Sequence, residues 1–257
     1  MSLRLEARGL AVVRAGREIV RDIDLELRAG EAVALVGPNA AGKSTLLRAL
    51  CGLLPAARGE VALDGRALPA WPRDAFARRV ALVAAEEGLP SPLSVGDRVA
   101  LGRYPHCGPF RPLRAEDHAA IARAFELTGI AHLSRRPLSR LSAGERQLAS
   151  LARGLAQEPE ALLLDEPAAH LDIGHELQLF RVLDQIRARG MAVLAVVHDL
   201  QRAAAWAERL LLLDDGRIAA QGPPEHVLAS EAAAKAFRVT ITQHRPPGAA
   251  RPYYGFD

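Results

Sequence analysis

Residues 37–45 read Gly-Pro-Asn-Ala-Ala-Gly-Lys-Ser-Thr, which matches the spacing G-x-x-x-x-G-K-[ST] of a phosphate-binding loop. The apolar run Ala32–Val36 before it predicts a buried strand, and residues 45–51 after it predict a helix. A strand, a glycine-rich turn and a helix start in this order aim backbone N–H groups and the helix dipole at one anion. We therefore predict a phosphate site formed by Gly37, Pro38, Asn39, Ala40, Ala41, Gly42, Lys43, Ser44 and Thr45.

Two side chains of this loop carry its chemistry. Lys43 can reach the outer phosphates of a nucleotide, and the Ser44 hydroxyl can ligate Mg²⁺. The chain has only two lysines, Lys43 and Lys235, among 33 basic residues. A compact ammonium suits a phosphate cradle better than a planar guanidinium does, which supports a role for Lys43. The alternative interpretation is a chance glycine-rich turn before a helix.

Size and composition limit the classes of protein that fit. A chain of 257 residues is one large domain, or one domain with an inserted lobe. No apolar run reaches the roughly 18 residues of a membrane span, and the N-terminus lacks a signal-peptide pattern, so we expect a cytoplasmic protein. Cys51 and Cys107 are too few for a disulfide framework. The arginines are scattered and aromatic residues make up 4%, so the net charge of +3 does not indicate nucleic-acid binding.

The pattern along the chain predicts both strands and helices. Alternating apolar and polar positions in the first thirty residues predict antiparallel strands with turns at residues 15–16 and 29–30. The signal is helical between about residues 91 and 158, where the prolines and glycines of residues 102–112 predict a loop. From residue 246 onward the chain is rich in proline and glycine and is expected to be loosely ordered. Further strands are predicted at residues 60–65, 80–84, 161–164, 193–197 and 210–213, and helices at 115–128 and 143–157.

Two carboxylates follow the apolar run at residues 161–164. Ligands of a parallel sheet gather at the carboxyl ends of its strands, so Asp165 and Glu166 are placed for chemistry. Phosphoryl transfer needs charge neutralisation and positioning. We predict that Asp165 holds Mg²⁺ together with Ser44 and that Glu166 polarises an attacking water. Taken alone, the same residues would fit a strand that ends in an acidic turn.

Residues 141–147, here called the signature segment, read Leu-Ser-Ala-Gly-Glu-Arg-Gln and precede a predicted helix. They resemble the L-S-G-G-Q signature of the ATP-binding cassette (ABC) ATPases, with Ala143 and Glu145 as the two departures. The segment would also serve as a helix start with Ser142 as the N-cap. The resemblance implies that Ser142 and Gly144 form a second anion site, which reaches the γ-phosphate of ATP held by the opposite subunit.

Two more segments resemble the same family and follow in the family's order. Residues 169–172, Ala-His-Leu-Asp, resemble the D-loop, which implies that Asp172 links two ATP sites. Residues 196–199, Val-Val-His-Asp, resemble the switch region, which implies that His198 contacts the γ-phosphate. Without this context, a single histidine at a strand end would be interpreted as a surface or capping residue.

The resemblance covers residues 37–199 and implies an architecture. The fold class expected is α/β, with a P-loop NTPase core of the ABC ATPase type, an antiparallel β subdomain and an inserted α-helical subdomain at about residues 86–158. The ABC ATPase domain is expected to span residues 1–240, and residues 241–257 are expected to form a C-terminal tail.

The sequence departs from the family at two positions. Ala85 stands where the family usually has the Q-loop glutamine, and we hypothesise that the neighbouring Glu86 brings its carboxylate toward the metal instead. Arg14 stands where the family often stacks a tyrosine on adenine. A guanidinium can also stack on a base, so Arg14 is a candidate adenine contact. The alternative is a solvated arginine in a loop.

The resemblance also implies partners. Because each chain supplies one half of an ATP site, we expect a homodimer that closes over two ATP molecules with Mg²⁺. This dimer would drive an integral membrane permease from the cytoplasmic face of the membrane. A substrate-binding protein would act indirectly, and no nucleic acid is expected.

Three local segments resemble one subgroup of the family, at residues 101–106, 170–175 and 221–228. They are similar to the ATPases of importers for iron-siderophore complexes, haem and cobalamin, which implies a role in metal-chelate uptake. Two alternatives stay open: an ATPase of another transporter class, such as efflux or lipoprotein release, and a weakly hydrolysing regulatory module.

Overall fold

A computed structural model describes residues 3–84, 92–108, 111–169, 171–246 and 251–257. Its strands are, in chain order, β1 Arg4–Arg14, β2 Arg17–Arg28, β3 Ala32–Val36, β4 Arg58–Leu63, β5 Arg66–Ala67, β6 Val80–Val83, β7 Ala161–Leu164, β8 Ala192–Val196, β9 Arg209–Asp214, β10 Arg217–Gly222, β11 Ile241–His244 and β12 Tyr253–Phe256. The strand predicted before the phosphate loop is confirmed as β3, with its predicted bounds. The strands predicted after the loop are confirmed as β4, β6, β7, β8 and β9.

Four of the helices follow one another between β6 and β7, and the others lie between strands along the rest of the chain. In chain order they are α1 Lys43–Leu50, α2 Arg73–Ala77, α3 Val95–Ala100, α4 Tyr104–Cys107, α5 Ala115–Thr128, α6 Ala143–Ala156, α7 Ile173–Ala188, α8 Leu200–Trp206, α9 Pro224–Leu228 and α10 Glu231–Phe237. The predicted helix at residues 115–128 is confirmed as α5, and the one at residues 143–157 is confirmed as α6.

An antiparallel sheet in the order β2-β1-β4-β5 forms the N-terminal β lobe. The turn between β1 and β2 consists of Ala15 and Gly16, with φ angles of 47° and 75°. A two-residue hairpin turn of this kind needs positive φ at both central positions, since its twist then matches that of the strands. The antiparallel strands and both turns predicted from the first thirty residues are therefore confirmed.

The central sheet has six strands in the order β10-β9-β3-β8-β7-β6, and all of its pairs are parallel except β10 with β9. Every residue of β3, β7 and β8 is buried, as expected for strands that are covered on both faces. One face packs on the helices α5, α6 and α7, and the other packs on β1, β2 and α1. The carboxyl ends of β3, β7 and β8 lie side by side, and the predicted catalytic residues follow them.

One prediction is wrong in the helical part of the chain, which comprises the helices α3 to α6. Residues 102–112 were expected to form a loop, but residues 101–103 form a 3₁₀ turn and α4 follows at Tyr104–Cys107. Residues 108, 111 and 112 lie in no helix or strand, and residues 109–110 lie outside the described residues. Pro105 lies in the first turn of α4, where a helix needs no N–H donor, so the proline starts this helix instead of breaking it.

The C-terminal end is also more ordered than its composition suggested. Loose order was expected from residue 246. Residues 247–250 of that segment lie outside the described residues, but beyond them β12 pairs with β11, and Tyr254 is buried. Arg251 donates hydrogen bonds through Nη1 to the carbonyls of Ala204 and Ala207 at 2.7 and 3.0 Å. A cation at the last carbonyls of a helix is favourable, which explains how residues 251–257 are held against the end of α8.

A buried ion pair ties the helical part together. The Arg103 side chain is 4% exposed, and its Nε lies 2.8 Å from Asp117 Oδ1. Its Nη1 donates to the carbonyl of Ala156 and to Glu158 Oε2, both at 2.8 Å. The backbone N–H of Arg114 and the guanidinium of Arg103 both hold the pKa of Asp117 below its usual value. Arg103 thus joins the start of α4 to α5 and to the end of α6.

We predict that Arg103→Leu lowers the free energy of unfolding by about 3 kcal/mol, because it leaves the buried Asp117 carboxylate without its cation. Arg123 contacts the same Glu158 at 2.5 Å from an exposed position. Arg123→Leu should therefore cost less than about 1 kcal/mol. Urea unfolding followed by circular dichroism measures both variants. Equal losses would contradict the special role of the buried arginine.

Candidate nucleotide-binding site

The backbone of residues 37–42 is shaped by two glycines. Gly37 has a φ of 149°, and a Cβ at this position would lie 2.0 Å from the carbonyl oxygen of Leu213 in β9. Gly42 has a φ of 103° and is the N-cap of α1, and a Cβ there would lie 2.9 Å from the carbonyl oxygen of Ile19. Both positions exclude a side chain, so the loop fits only with glycine at its two ends.

Lys43 is the first residue of α1 and is 5% exposed. Its Nζ donates hydrogen bonds to the carbonyls of Gly37 and Pro38 at 2.7 and 2.8 Å. Burial lowers the pKa of the ammonium, and the carboxylates of Glu166 and Asp165 act in the opposite direction. The loop therefore wraps around a cation that faces two acidic side chains.

The Ser44 hydroxyl and the Asp165 carboxylate come together across 121 residues of sequence. Ser44 Oγ donates to Asp165 Oδ1 at 2.9 Å, and Asp165 is buried directly after β7. Burial raises the pKa of Asp165, and the hydrogen bond from Ser44 opposes that shift. A hydroxyl and a carboxylate are hard oxygen ligands, and Mg²⁺ takes few protein ligands besides waters and phosphates. The pair fits that ion, and no larger group of His, Cys, Asp or Glu suited to a metal occurs in the described part of the chain.

Glu166 and His198 form a second pair at the same edge of the sheet. Glu166 Oε1 lies 2.8 Å from His198 Nε2. Glu166 has a φ of 52°, an unusual conformation for a residue other than glycine. The two residues follow β7 and β8, which are neighbours, so the parallel sheet brings them into contact. Both side chains remain partly exposed and can reach a bound molecule.

A cleft of about 560 Å³ opens beside these residues. Arg14, the candidate adenine contact at the end of β1, lies on its wall. Three further residues of the wall, Ala15, Arg17 and Ile19, were not predicted from the sequence. Arg17 is the register partner of Arg14 across the hairpin turn, so the alternation in β1 and β2 was the signal that could have found it. The wall consists of Arg14, Ala15, Arg17, Ile19, Asn39, Ala40, Gly42, Lys43, Ser44, Thr45 and Glu166.

The signature segment forms the start of α6. Ser142 is the N-cap of α6, where its Oγ accepts from the backbone N–H of Glu145 at 3.1 Å and Glu145 Oε2 accepts from the N–H of Ser142 at 2.7 Å. Neither Ser142 nor Gly144 is among the described residues that line the cleft. Asp172 is the N-cap of α7 and accepts from the N–H of His175 at 2.8 Å. Ala85, Glu86 and His170 lie outside the described residues.

Comparison with known proteins agrees with this geometry. A model of the family described as ABC transporter matches residues 20–169, which is more than half of the chain. The chain belongs to the ABC transporter family. It is 47% identical over 223 residues to the hemin import ATP-binding protein HmuV of Streptomyces coelicolor, covering 87% of this chain and 79% of that protein. It is 39% identical to the ferric enterobactin transport ATP-binding protein FepC of Escherichia coli, covering 89% and 84%.

Solved structures of ABC proteins share the fold. An inward-facing metal-chelate type ABC transporter superposes with a TM-score of 0.85 at 24% identity and covers 99% of this chain and 97% of that one. A nucleotide-free ATP-binding cassette gives a TM-score of 0.82 at 19% identity, with 92% and 99% covered. The predicted fold class, an ABC ATPase core with an antiparallel β subdomain and a helical subdomain, is confirmed. Among the described residues, no helix has the length and hydrophobicity that a membrane crossing requires.

We predict that Gly37→Ala lowers the free energy of unfolding by about 3 kcal/mol, because the added methyl group would overlap the Leu213 carbonyl. Gly16 provides a matched control: its φ is 75°, and a Cβ there would meet nothing within 4 Å. Gly16→Ala should therefore show backbone strain alone, about 1 kcal/mol. Chemical unfolding measures both losses, and a Gly37 variant no less stable than the Gly16 variant would refute the close approach.

Proposed function

We propose that the chain is the ATP-hydrolysing subunit of an ABC importer that takes up a metal chelate such as an iron-siderophore complex, haem or cobalamin. The observation that carries this proposal is the meeting of Lys43, the Ser44–Asp165 pair and the Glu166–His198 pair at one edge of the sheet. The curated relatives named above are import or transport ATP-binding proteins for hemin and ferric enterobactin, which supports the choice of substrate class.

The residues of the cleft divide the work of hydrolysis. The N–H groups of residues 37–45 and the Lys43 ammonium hold the phosphates of ATP, where negative charge is favoured at a helix start. Ser44 and Asp165 would hold Mg²⁺, which neutralises charge on the phosphates. Glu166 orients and polarises the attacking water, and His198 holds the Glu166 carboxylate through the contact at 2.8 Å and contacts the γ-phosphate. Arg14 stacks on the adenine at the outer wall of the cleft.

The position of the signature segment supports a dimer of two such chains. Ser142 and Gly144 start α6 and do not line the cleft of their own chain, which supports their acting on the ATP of a second copy. Asp172 lies close to both subunits in this arrangement and links the two sites. Hydrolysis would then be coupled to closing and reopening of the dimer.

Import ATPases work with a membrane permease, and this chain would do so from the cytoplasmic face of the membrane, with a substrate-binding protein delivering the chelate. We keep residues 86–158 as the helical subdomain, within an ATPase domain of residues 1–240. The helices from Val95 to Ala156 support that range. Residues 241–257 form the C-terminal tail, which contains the hairpin of β11 and β12.

We predict that Glu166→Gln slows phosphate release by at least about a hundredfold, because an amide cannot accept a proton from water. Binding of ATP should persist, and the ATP-loaded variant should form dimers that gel filtration with light scattering detects. Glu116→Gln, at an exposed position on α5, is the control and should hydrolyse ATP at the wild-type rate. A Glu166 variant that hydrolyses normally, or that stays monomeric with ATP even beside its permease, would overturn the proposal.

The direction of transport has its own test. In vesicles that contain the permease and this chain, with label and binding protein on the side opposite the ATPase, labelled haem or ferric siderophore should move toward the ATPase side only when ATP and wild-type protein are present. Accumulation of label with the ATPase is the expected result for an importer. In a second set of vesicles the label is loaded on the ATPase side, and its ATP-dependent loss from that side would favour efflux.

We predict that Arg14→Ala weakens ATP binding by about fivefold, the effect of one cation–π contact with the base. Arg4→Ala, at the other end of β1, is the matched control and should leave affinity unchanged, since Arg4 pairs with Glu6 and Glu26 away from the cleft. Fluorescent-nucleotide titration measures both variants. If affinity is intact without Arg14, the adenine contact is abandoned.

A further inference from the structure

The start of α6 touches the start of α7 through one glycine and one histidine. A Cβ at Gly144 would lie 2.3, 2.5 and 2.7 Å from Cγ, Cδ2 and Nδ1 of His175. Gly144 is helical and its φ is not in the left-handed region, so its backbone does not require glycine. The requirement comes from the imidazole, which occupies the space that any side chain at position 144 would fill.

The His175 ring is held in place by the loop before α7. Its Nδ1 lies 2.7 Å from Asp172 Oδ2, and its backbone N–H donates to Asp172 Oδ1 at 2.8 Å. The N–H of His175 is the largest cause that holds the pKa of the Asp172 carboxyl below its usual value. The ring cannot turn away from Gly144 without giving up its contact with Asp172. A larger residue at position 144 is therefore not accommodated by a simple rotation of the histidine.

The other side of this contact is equally fixed. Glu145 closes the capping box with Ser142 and also lies 3.2 Å from Arg136, so the first turn of α6 is tied to its own N-cap and to the preceding segment. The hydrogen bond from the Ser142 N–H is the largest cause that lowers the pKa of Glu145, which keeps its carboxylate available for that bond. One imidazole thus separates two braced helix starts.

We propose that His175 is a positioning residue for the signature segment: its ring, held by Asp172, sets the distance between the start of α6 and the loop before α7. This inference rests on the proposed function, in which Ser142 and Gly144 act on the ATP of a second copy and Asp172 lies between the two sites. His175 touches neither ATP nor the reacting water. It transmits a displacement of Asp172 to the signature segment, and a displacement of the signature segment to Asp172.

Thermal stability and ATP binding distinguish a positioning histidine from one that only packs. Loss of a packing residue lowers thermal stability and lowers every activity with it. Loss of a positioning residue leaves ATP binding to the single chain unchanged, because that chain's own cleft is intact. ATP-driven dimerisation and turnover then fall, since they depend on how the signature segment meets the second copy.

The test uses the full chain with four variants at two positions. His175→Ala should lower turnover by about tenfold, as expected when a reacting group is displaced by a fraction of an ångström. His175→Asn should restore at least half of wild-type turnover, because its amide N–H can replace Nδ1 opposite Asp172. Gly144→Ala should lower turnover by about a hundredfold. The double variant Gly144→Ala with His175→Ala should hydrolyse ATP faster than Gly144→Ala alone, since the ring that meets the methyl group is gone.

His118→Ala is the control: this histidine is exposed on α5, and its loss should change nothing. Wild-type turnover in His175→Ala, or a double variant as slow as Gly144→Ala, would overturn the proposal. So would a loss of turnover in His175→Ala that merely follows a loss of thermal stability. If His175→Ala does not fold, the comparison of His175→Asn with His175→Leu decides, with equal turnover counting against the proposal.

These outcomes are separate from failure of the proposed function. If the wild-type chain neither hydrolyses ATP nor forms dimers with it, the proposed function fails before any variant is compared. If the wild type does both and the double variant shows no recovery, only the role of His175 fails.

Discussion

The buried ammonium of Lys43 is the constraint on which the nucleotide site depends. A cation that is 5% exposed is strongly unfavourable unless its hydrogen bonds and its charge are both compensated. The carbonyls of Gly37 and Pro38 supply the hydrogen bonds, and the carboxylates beyond supply the opposite charge. These carbonyls can point inward only if the loop turns tightly, which is what glycine at position 37 allows. The phosphate cradle is thus shaped by the chain itself.

That cradle works because the strand order of the central sheet brings distant residues to it. β3, β8 and β7 are consecutive neighbours, and each delivers one part of the site at its carboxyl end. Ser44 and Asp165 are 121 positions apart and still form a hydrogen bond of 2.9 Å. Glu166 and His198 meet in the same way after β7 and β8. Parallel strands with covered faces thereby turn three separate sequence motifs into one chemical site.

Local patterns explain which parts could be predicted from the sequence. β3 and α5 were predicted with their observed bounds, because a short apolar run and a long amphipathic helix are strong periodic signals. The motif residues that line the cleft could be named from the sequence because each motif is a local pattern with fixed spacing. α4 was missed because proline was interpreted only as a helix breaker. The docking of Arg251 on the end of α8 was missed because a contact between distant segments leaves no periodic trace.

The contact of Gly144 with His175 also joins distant segments and could not be predicted for the same reason. It limits how the helices α5 and α6 can move relative to α7. α7 touches the helical part at two successive turns: His175 packs on Gly144, and Gln178 Nε2 donates to the carbonyl of Thr128 at 2.9 Å. Thr128 ends α5 and Gly144 lies in the first turn of α6, so both of the longest helices of that part contact one helix of the core. A rotation of the signature segment toward a second copy must therefore either carry the first turn of α7 with it or break these contacts. Because Asp172 caps that first turn, a rotation that carries α7 with it would also displace the loop before α7.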